Sequence, residues 1–174
     1  RIIGGVSENS TKVVSAFYET FVDGKVLKTS AKTAEMCKLV ENSFRDVNIA
    51  YANELSMLCD THGIDVWELI SLANHHPRVS ILQPGTGVGG QCIAVDPWFI
   101  VSGDPENSHI IRTAREVNDS KPDWVVEKIV NEVESLVQQG RVKPKVACLG
   151  LAFKPDIDDL RESPAVKVIN KLLE

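Results

Sequence analysis

Cys92 is the residue whose setting most invites a chemical reading. It follows Gly85, Gly87, Gly89 and Gly90 and shortly precedes Asp96-Pro97. Glycines let a backbone approach a ligand closely and turn N–H groups toward an anion. Pro97 after Asp96 reads as the first helical position after an N-cap. A cysteine just ahead of a helix start is placed for thiolate character and nucleophilic attack. A flexible glycine-rich turn would explain the glycines but not the thiol beside them. Gly85-x-Gly87-x-x-Gly90 also has the spacing of a dinucleotide loop, yet no good strand precedes it and no acidic residue follows where a ribose would need one. No Gly-Lys-Ser/Thr follows, which excludes a P-loop.

A second polar set lies upstream. At ~100° per residue, Lys38, Asn42 and Arg45 share a narrow arc of one helix face, and the single turn between Lys38 and Asn42 aims both at one point. On periodicity alone, such an arc is a solvated face. The element that must position it runs from Ala31 to His62, with no Gly or Pro until Gly63 closes it. That predicts one helix about 48 Å long. Val40, Phe44, Val47, Tyr51, Leu55 and Leu58 form an apolar stripe along it, with Cys37 on the same stripe, so this side is expected to pack a core.

The flanks read as shorter pieces. Residues 2–6 suit a buried strand, and Asn9 or Ser10 caps a helix expected to carry Val13, Val14, Phe17, Tyr18 and Phe21 inward. Val26-Leu27 is a brief second strand, and residues 64–73 a short helix. Asn107 or Ser108 starts one helix, and Pro122 a separate one that Gly140 closes. Residues 145–151 (KVACLGL) are a continuous apolar run suited to a buried parallel strand, and Pro164 opens a last helix. The fold class is therefore mainly α with α/β edges, organised on the long helix.

Composition narrows the function classes. Hydrophobic residues make up 43% of the chain and charged ones 25%, ample for a core. A net charge of −5 argues against a general nucleic-acid surface, and no apolar run approaches the ~20 residues of a membrane span. Cys37, Cys59, Cys92 and Cys148 show no metal-site spacing, so no metal is expected, and free thiols fit a reducing cytoplasm. Cys37, Cys59 and Cys148 lie in apolar settings and read as buried packing residues. The chain opens without Met in an apolar run and stops within a helical pattern, as a segment of a longer protein would.

Three motifs carry a resemblance. Thr33–Asn42 (TAEMCKLVEN), Gly87–Asp96 (GVGGQCIAVD) and Gly150–Lys154 (GLAFK) with Asp159–Ser163 (DLRES) occur in that order. Together they resemble the nucleotide-sugar 6-dehydrogenases, the group of UDP-glucose dehydrogenase. His76–Val79 (HPRV), Gln83–Gly85 (QPG) and Cys92–Trp98 (CIAVDPW) are closer to the branch acting on UDP-N-acetylhexosamines, UDP-N-acetyl-D-mannosamine above all, with UDP-glucose as the alternative substrate. Gln91 departs from that branch, where a His is common at this position.

The resemblance implies a division into residues 1–29, the last edge of an NAD-binding Rossmann domain; 30–119, a central helical dimerisation domain; and 120–174, the start of a UDP-binding domain. It implies oxidation of a sugar CH2OH to carboxylate in two hydride transfers to NAD, with Cys92 as nucleophile. Lys38 and Asn42 would serve the developing oxyanion and Asp96 the hydrolytic water. Arg45, His76, Arg78, Gly85, Gly87 and Gly89 match substrate-contacting positions, Phe153 and Lys154 a UDP contact, and Arg161 an NAD contact. His76 and Arg78 would reach the neighbouring subunit's site. A homodimer through the central helix is implied, and the 174-residue chain alone is expected to be inactive. Two rivals compete with this reading. A non-catalytic helical dimerisation module leaves Cys92 among its glycines unexplained, and a β-hydroxyacid-type dehydrogenase, which also uses a Lys–Asn pair, needs no thiol.

Overall fold

The computed structural model describes all 174 residues, which divide into two compact units, Arg1–Asn42 and Ser43–Glu174. In chain order the elements are β1 (Ile2–Gly5), α1 (Glu8–Tyr18), β2 (Leu27–Ser30), α2 (Ala31–His62), α3 (Val66–Ala73), α4 (Asp96–Gly103), α5 (His109–Gln138) and α6 (Pro164–Leu173). The fold is mainly α with one small parallel sheet, and the long helix has the extent that its unbroken sequence predicts.

In the first unit β1 and β2 pair in parallel, Ile2 opposite Leu27 and Gly5 opposite Ser30, with α1 as the crossover. The cap of α1 is Ser7, not Asn9 or Ser10. Ser7 Oγ accepts the Ser10 N–H at 3.1 Å while Ser10 Oγ accepts the Ser7 N–H at 3.0 Å, a reciprocal capping box that makes Ser10 the third helical residue. The inward apolar face expected of α1 is not found: Val13, Phe17 and Phe21 are exposed. A two-stranded sheet covers only the side that carries Ser15, so the rings of Phe17, Tyr18 and Phe21 pack on one another instead.

Helix α2 ends where glycine permits. Gly63 turns left-handed at φ 66°, its N–H reaches Asp60 O, and the Ile64 N–H returns to Cys59 O at 2.9 Å. The face α2 buries is not the apolar stripe. Ser43, Asp46, Ala50 and Asn53 go in together, with Ala52 and Cys59 beside them, while Val40, Phe44, Tyr51 and Leu58 stay exposed, Phe44 at 70%. The reason lies on α5, which buries Arg115, Asn118, Lys121 and Pro122. Cations and amides removed from water must find partners, and the polar face of α2 supplies them.

Helix α5 is one helix and not two, because Pro122 lies inside it. Proline costs the Asn118 carbonyl its i+4 donor, usually about 3 kcal/mol. Burial of Arg115, Asn118 and Lys121 just ahead of the proline, and of Pro122 itself, keeps the helix continuous through it. The run 145–151 forms no strand, because no second strand lies alongside to complete a ladder. Val146 and Leu149 are consequently exposed, and so is Cys148, while Cys37 is half-buried. Only Cys59, of the three thiols expected inside, is fully buried.

Lys121 is 2% exposed, donates to Ser56 Oγ at 2.6 Å and lies 3.6 Å over the Trp124 ring. Burial pushes its pKa down to about 8, with Asp60 pulling the other way. A lowered folded-state pKa means that the folded chain releases this proton before the unfolded chain does. The burial cost is therefore borne in full below pH 8 and relieved as pH rises toward the unfolded value of ~10.4. Lys121→Met should be more favourable to stability at pH 7 than at pH 10, the difference reaching about 3 kcal/mol at most. Urea unfolding of both chains at several pH values between 7 and 10 checks this.

Candidate active site

Cys92 lies in the turn that leads into α4 and is exposed. Its carbonyl accepts the Val95 N–H at 3.2 Å and the Asp96 N–H at 2.8 Å, so Asp96 follows it by one helical turn on the same side. These bonds begin the helical turn early. The N-cap of α4 is consequently Val95, without a side-chain cap, and Asp96 is not the cap but the first helical residue, followed by Pro97.

The glycines ahead of Cys92 are used for contact with the rest of the chain. A Cβ on Gly89 would stand 2.5 Å from Phe153 Cβ and 2.7 Å from Glu162 O, so no other residue fits there. Gly90 donates its N–H to Arg161 O at 3.0 Å and lies under the Phe153 ring. A Cβ on Gly87 would come within 3.2 Å of Asn118 O and 3.3 Å of Pro122 Cγ, which puts the loop on the stretch of α5 where proline removes a ladder bond. Gly85 donates its N–H to Asn53 Oδ1 at 2.8 Å.

The segment facing this loop is itself well tied. Ser163 Oγ donates to Leu151 O at 2.6 Å, and the Phe153 N–H reaches Asp159 O. Arg161 grips the Asp159 carboxylate through Nε at 2.9 and 3.0 Å and Nη2 at 2.6 Å. Hydrogen bonds from the Arg161 side chain and backbone hold the Asp159 carboxyl at about 2, and the same pairing, with a smaller contribution from Cys92, raises Arg161. The guanidinium is thereby fixed on its own loop, whose backbone meets the Cys92 turn through the Gly90 N–H and the Arg161 carbonyl. Lys154 places its ammonium 5.7 Å from the Phe153 ring centre.

Gly87, Gly89, Cys92, Asp96, Phe153, Lys154 and Arg161 are therefore gathered in one neighbourhood of the second unit. The remaining candidates are placed by local structure alone. Lys38 Nζ donates to Asn42 Oδ1 at 3.3 Å along α2 and lies 3.9 Å from Glu41, and Arg45 is exposed one turn on. His76 and Arg78 are exposed in the turn after α3, where His76 Nδ1 accepts the Arg78 N–H at 3.2 Å.

The sequence reading missed the residues that fix the loop from below: Asn53, Asn118, Asp46 and Arg115. Their signal was the recurrence of small and polar residues at 43, 46, 50 and 53, a helical face in its own right. It also missed Lys121, which with Ser56, Asp60, Trp67 and Trp124 lines a cavity of about 490 Å3 bordered by Pro84, Gly85 and Thr86.

Residues 32–120 match the central domain, and residues 147–174 the UDP binding domain, of the UDP-glucose/GDP-mannose dehydrogenase family, and the chain is a member of it. It is 61% identical over 172 residues to the UDP-N-acetyl-D-mannosamine dehydrogenase of Campylobacter jejuni, covering 99% of this chain and 41% of that protein. It is 56% identical over 174 residues to an NDP-N-acetyl-D-galactosaminuronic acid dehydrogenase of Ralstonia nicotianae, covering 100% of this chain and 40% of that one. Among solved structures, the UDP-D-ManNAc dehydrogenase of Pyrococcus horikoshii superposes with a TM-score of 0.87 at 45% identity, covering 99% of this chain and 41% of that one. The chain thus spans about two fifths of the length of these relatives.

Exposure sorts the thiols. Brief iodoacetamide treatment of the folded chain should label Cys92 and Cys148 and spare Cys59, as read by peptide mapping.

Proposed function

We propose that the protein of which these residues form part oxidises a UDP-N-acetylhexosamine, UDP-N-acetyl-D-mannosamine in the first place, at C6 to the uronate, using two NAD+. The observation that carries this reading is the packing of the Cys92 turn against the Phe153–Arg161 loop, which brings an exposed thiol up to the loop that carries Lys154, a cation suited to a pyrophosphate-bearing substrate. The names of the similar proteins from Campylobacter jejuni and Ralstonia nicotianae, both N-acetyl sugar dehydrogenases, support the N-acetylated sugar.

The glycine loop is not the cofactor's loop. No strand precedes it, and Gly89 and Gly90 are filled from the other side by Phe153. Arg161, exposed and held by Asp159, is the residue of this chain that fits a cofactor contact. NAD+, when bound, accepts a hydride from the sugar carbon in each of the two oxidations. The first converts alcohol to aldehyde. Cys92 Sγ adds to that carbon to give a thiohemiacetal, whose oxidation leaves a thioester. Water cleaves the thioester to carboxylate and returns the thiol. Covalent capture keeps the aldehyde from escaping between the two steps. Asp96, one turn beyond Cys92, orients the water. Lys38 and Asn42 supply positive charge and an amide to the oxygen that develops charge.

Gly85, Gly87 and Gly89 present backbone to the nucleotide sugar, and Phe153 and Lys154 bind its UDP part. Arg45 contacts the sugar, and His76 and Arg78 serve the site of a second subunit. A homodimer through α2 accounts for the exposed Val40, Phe44, Tyr51 and Leu58. No helix is long and apolar enough to cross a membrane, in keeping with a cytoplasmic enzyme.

In the whole-length protein, Cys92→Ser should still yield the first NADH per sugar but form no free carboxylate. Stoichiometric NADH measurement with product analysis tests this, and two NADH per sugar from the serine variant would overturn the thioester route.

A further inference from the structure

Three points pin the loop that carries Cys92. Gly87 rests on α5, and Gly90 is tied backbone to backbone to Arg161. The third point, Gly85, is held by a side chain, Asn53, at 2.8 Å. Asn53 is fully buried, and its orientation is dictated from behind. Its Nδ2 donates to Asn118 Oδ1 at 2.9 Å, and Asn118 Nδ2 donates to Asp46 Oδ1 at 2.8 Å and to Asp46 O at 3.1 Å. Asp46 Oδ1 also accepts from Arg115 Nη1 at 2.7 Å. Each amide has only one orientation that satisfies both neighbours, because a carboxylate at the end of the row can only accept. The polarity runs one way, from the Gly85 N–H through two amides to Asp46.

We propose that Asn53 is a positioning residue for the reaction at Cys92: its carbonyl oxygen, aimed by Asn118 and Asp46, sets the register of the 85–92 loop and so the place of the sulfur. This inference rests on the function proposed above. Asn53 is fully buried and its carbonyl oxygen is taken by the Gly85 N–H, so it acts through the loop and not on the substrate. Without the acceptor the Gly85 end of the loop is released. The aldehyde formed in the first oxidation is then captured less efficiently, although the first oxidation does not need the thiol.

The test uses the whole-length enzyme with UDP-N-acetyl-D-mannosamine and NAD+, below the melting temperature of every variant. NADH per sugar and released aldehyde, trapped with a hydrazide, are measured. Asn53→Ala should lower the NADH yield from two toward one, release trappable aldehyde and reduce kcat at least tenfold. Asn53→Asp keeps an acceptor for the Gly85 N–H but opposes the Asn118 oxygen. It should therefore lose stability and yet keep a yield closer to two. If alanine prevents folding, Asn53→Ser, whose hydroxyl is too short to reach Gly85, takes its place with the same expectation. A yield of two from Asn53→Ala or Asn53→Ser, or equal yields from those variants and Asn53→Asp, would reduce Asn53 to a packing residue. A wild-type enzyme that fails to give two NADH per sugar would instead remove the proposed function itself.

Discussion

The second unit depends on a buried ion pair. Asp46 and Arg115 are 0% and 1% exposed in their side chains and meet at 2.7 Å, with Asp119 taking the other end of the guanidinium. Withdrawing two such charges from water costs several kcal/mol each, and their attraction repays this only when the remaining donors and acceptors are also matched. Asn118 supplies part of that match. Burial pushes the Asp46 carboxyl up, while Arg115 and Asn118 pull it down. Truncating Arg115 would leave the Asp46 charge buried without a cation, a loss on the order of 3–5 kcal/mol, whereas truncating Asp46 would leave Arg115 its pairing with Asp119. An apolar α2–α5 contact of similar area could be as stable, but it would carry no direction. The polar one does, and the direction ends at Gly85.

The same constraint explains the outer surface. Because α2 turns Asp46 and Asn53 toward α5, its aromatic and aliphatic stripe is left outside. Exposed stripes of this kind mark interaction surfaces more often than accidents of composition. The constraint also explains why α5 tolerates Pro122. The carbonyl that proline deprives of a donor is the one on which Gly87 lies, so the irregularity falls where the glycine loop meets the helix.

Much of this was legible beforehand. The extent of α2 followed from the lack of any breaker between residues 31 and 62, and the closing turn from Gly63. The glycines and Cys92 declared themselves by residue type, and motif order placed Phe153 and Arg161 with them. What failed was the assignment of faces. Hydrophobic periodicity assumes that the apolar side is the buried one, and on α2 a buried charge on α5, 69 residues away, decided otherwise. Pro122 misled in a similar way, because local propensity reads proline as a helix start and only tertiary contact keeps α5 continuous through it. The run 145–151 shows the reverse failure, a strand pattern with no neighbouring strand to pair with. The Asn53–Asn118 link could not be read at all, since an amide's role depends on what it meets across space.

Amide hydrogen exchange at Gly85 tests the central claim most directly. A glycine N–H in an exposed loop ordinarily exchanges at close to the free-peptide rate. Held by Asn53 at the end of the buried row, the Gly85 N–H should be protected to within about tenfold of the core amides of α2, Ala52 among them. Exchange at the rate of an unprotected loop amide, with α2 and α5 still protected, would show that the buried polar row does not reach the glycine loop.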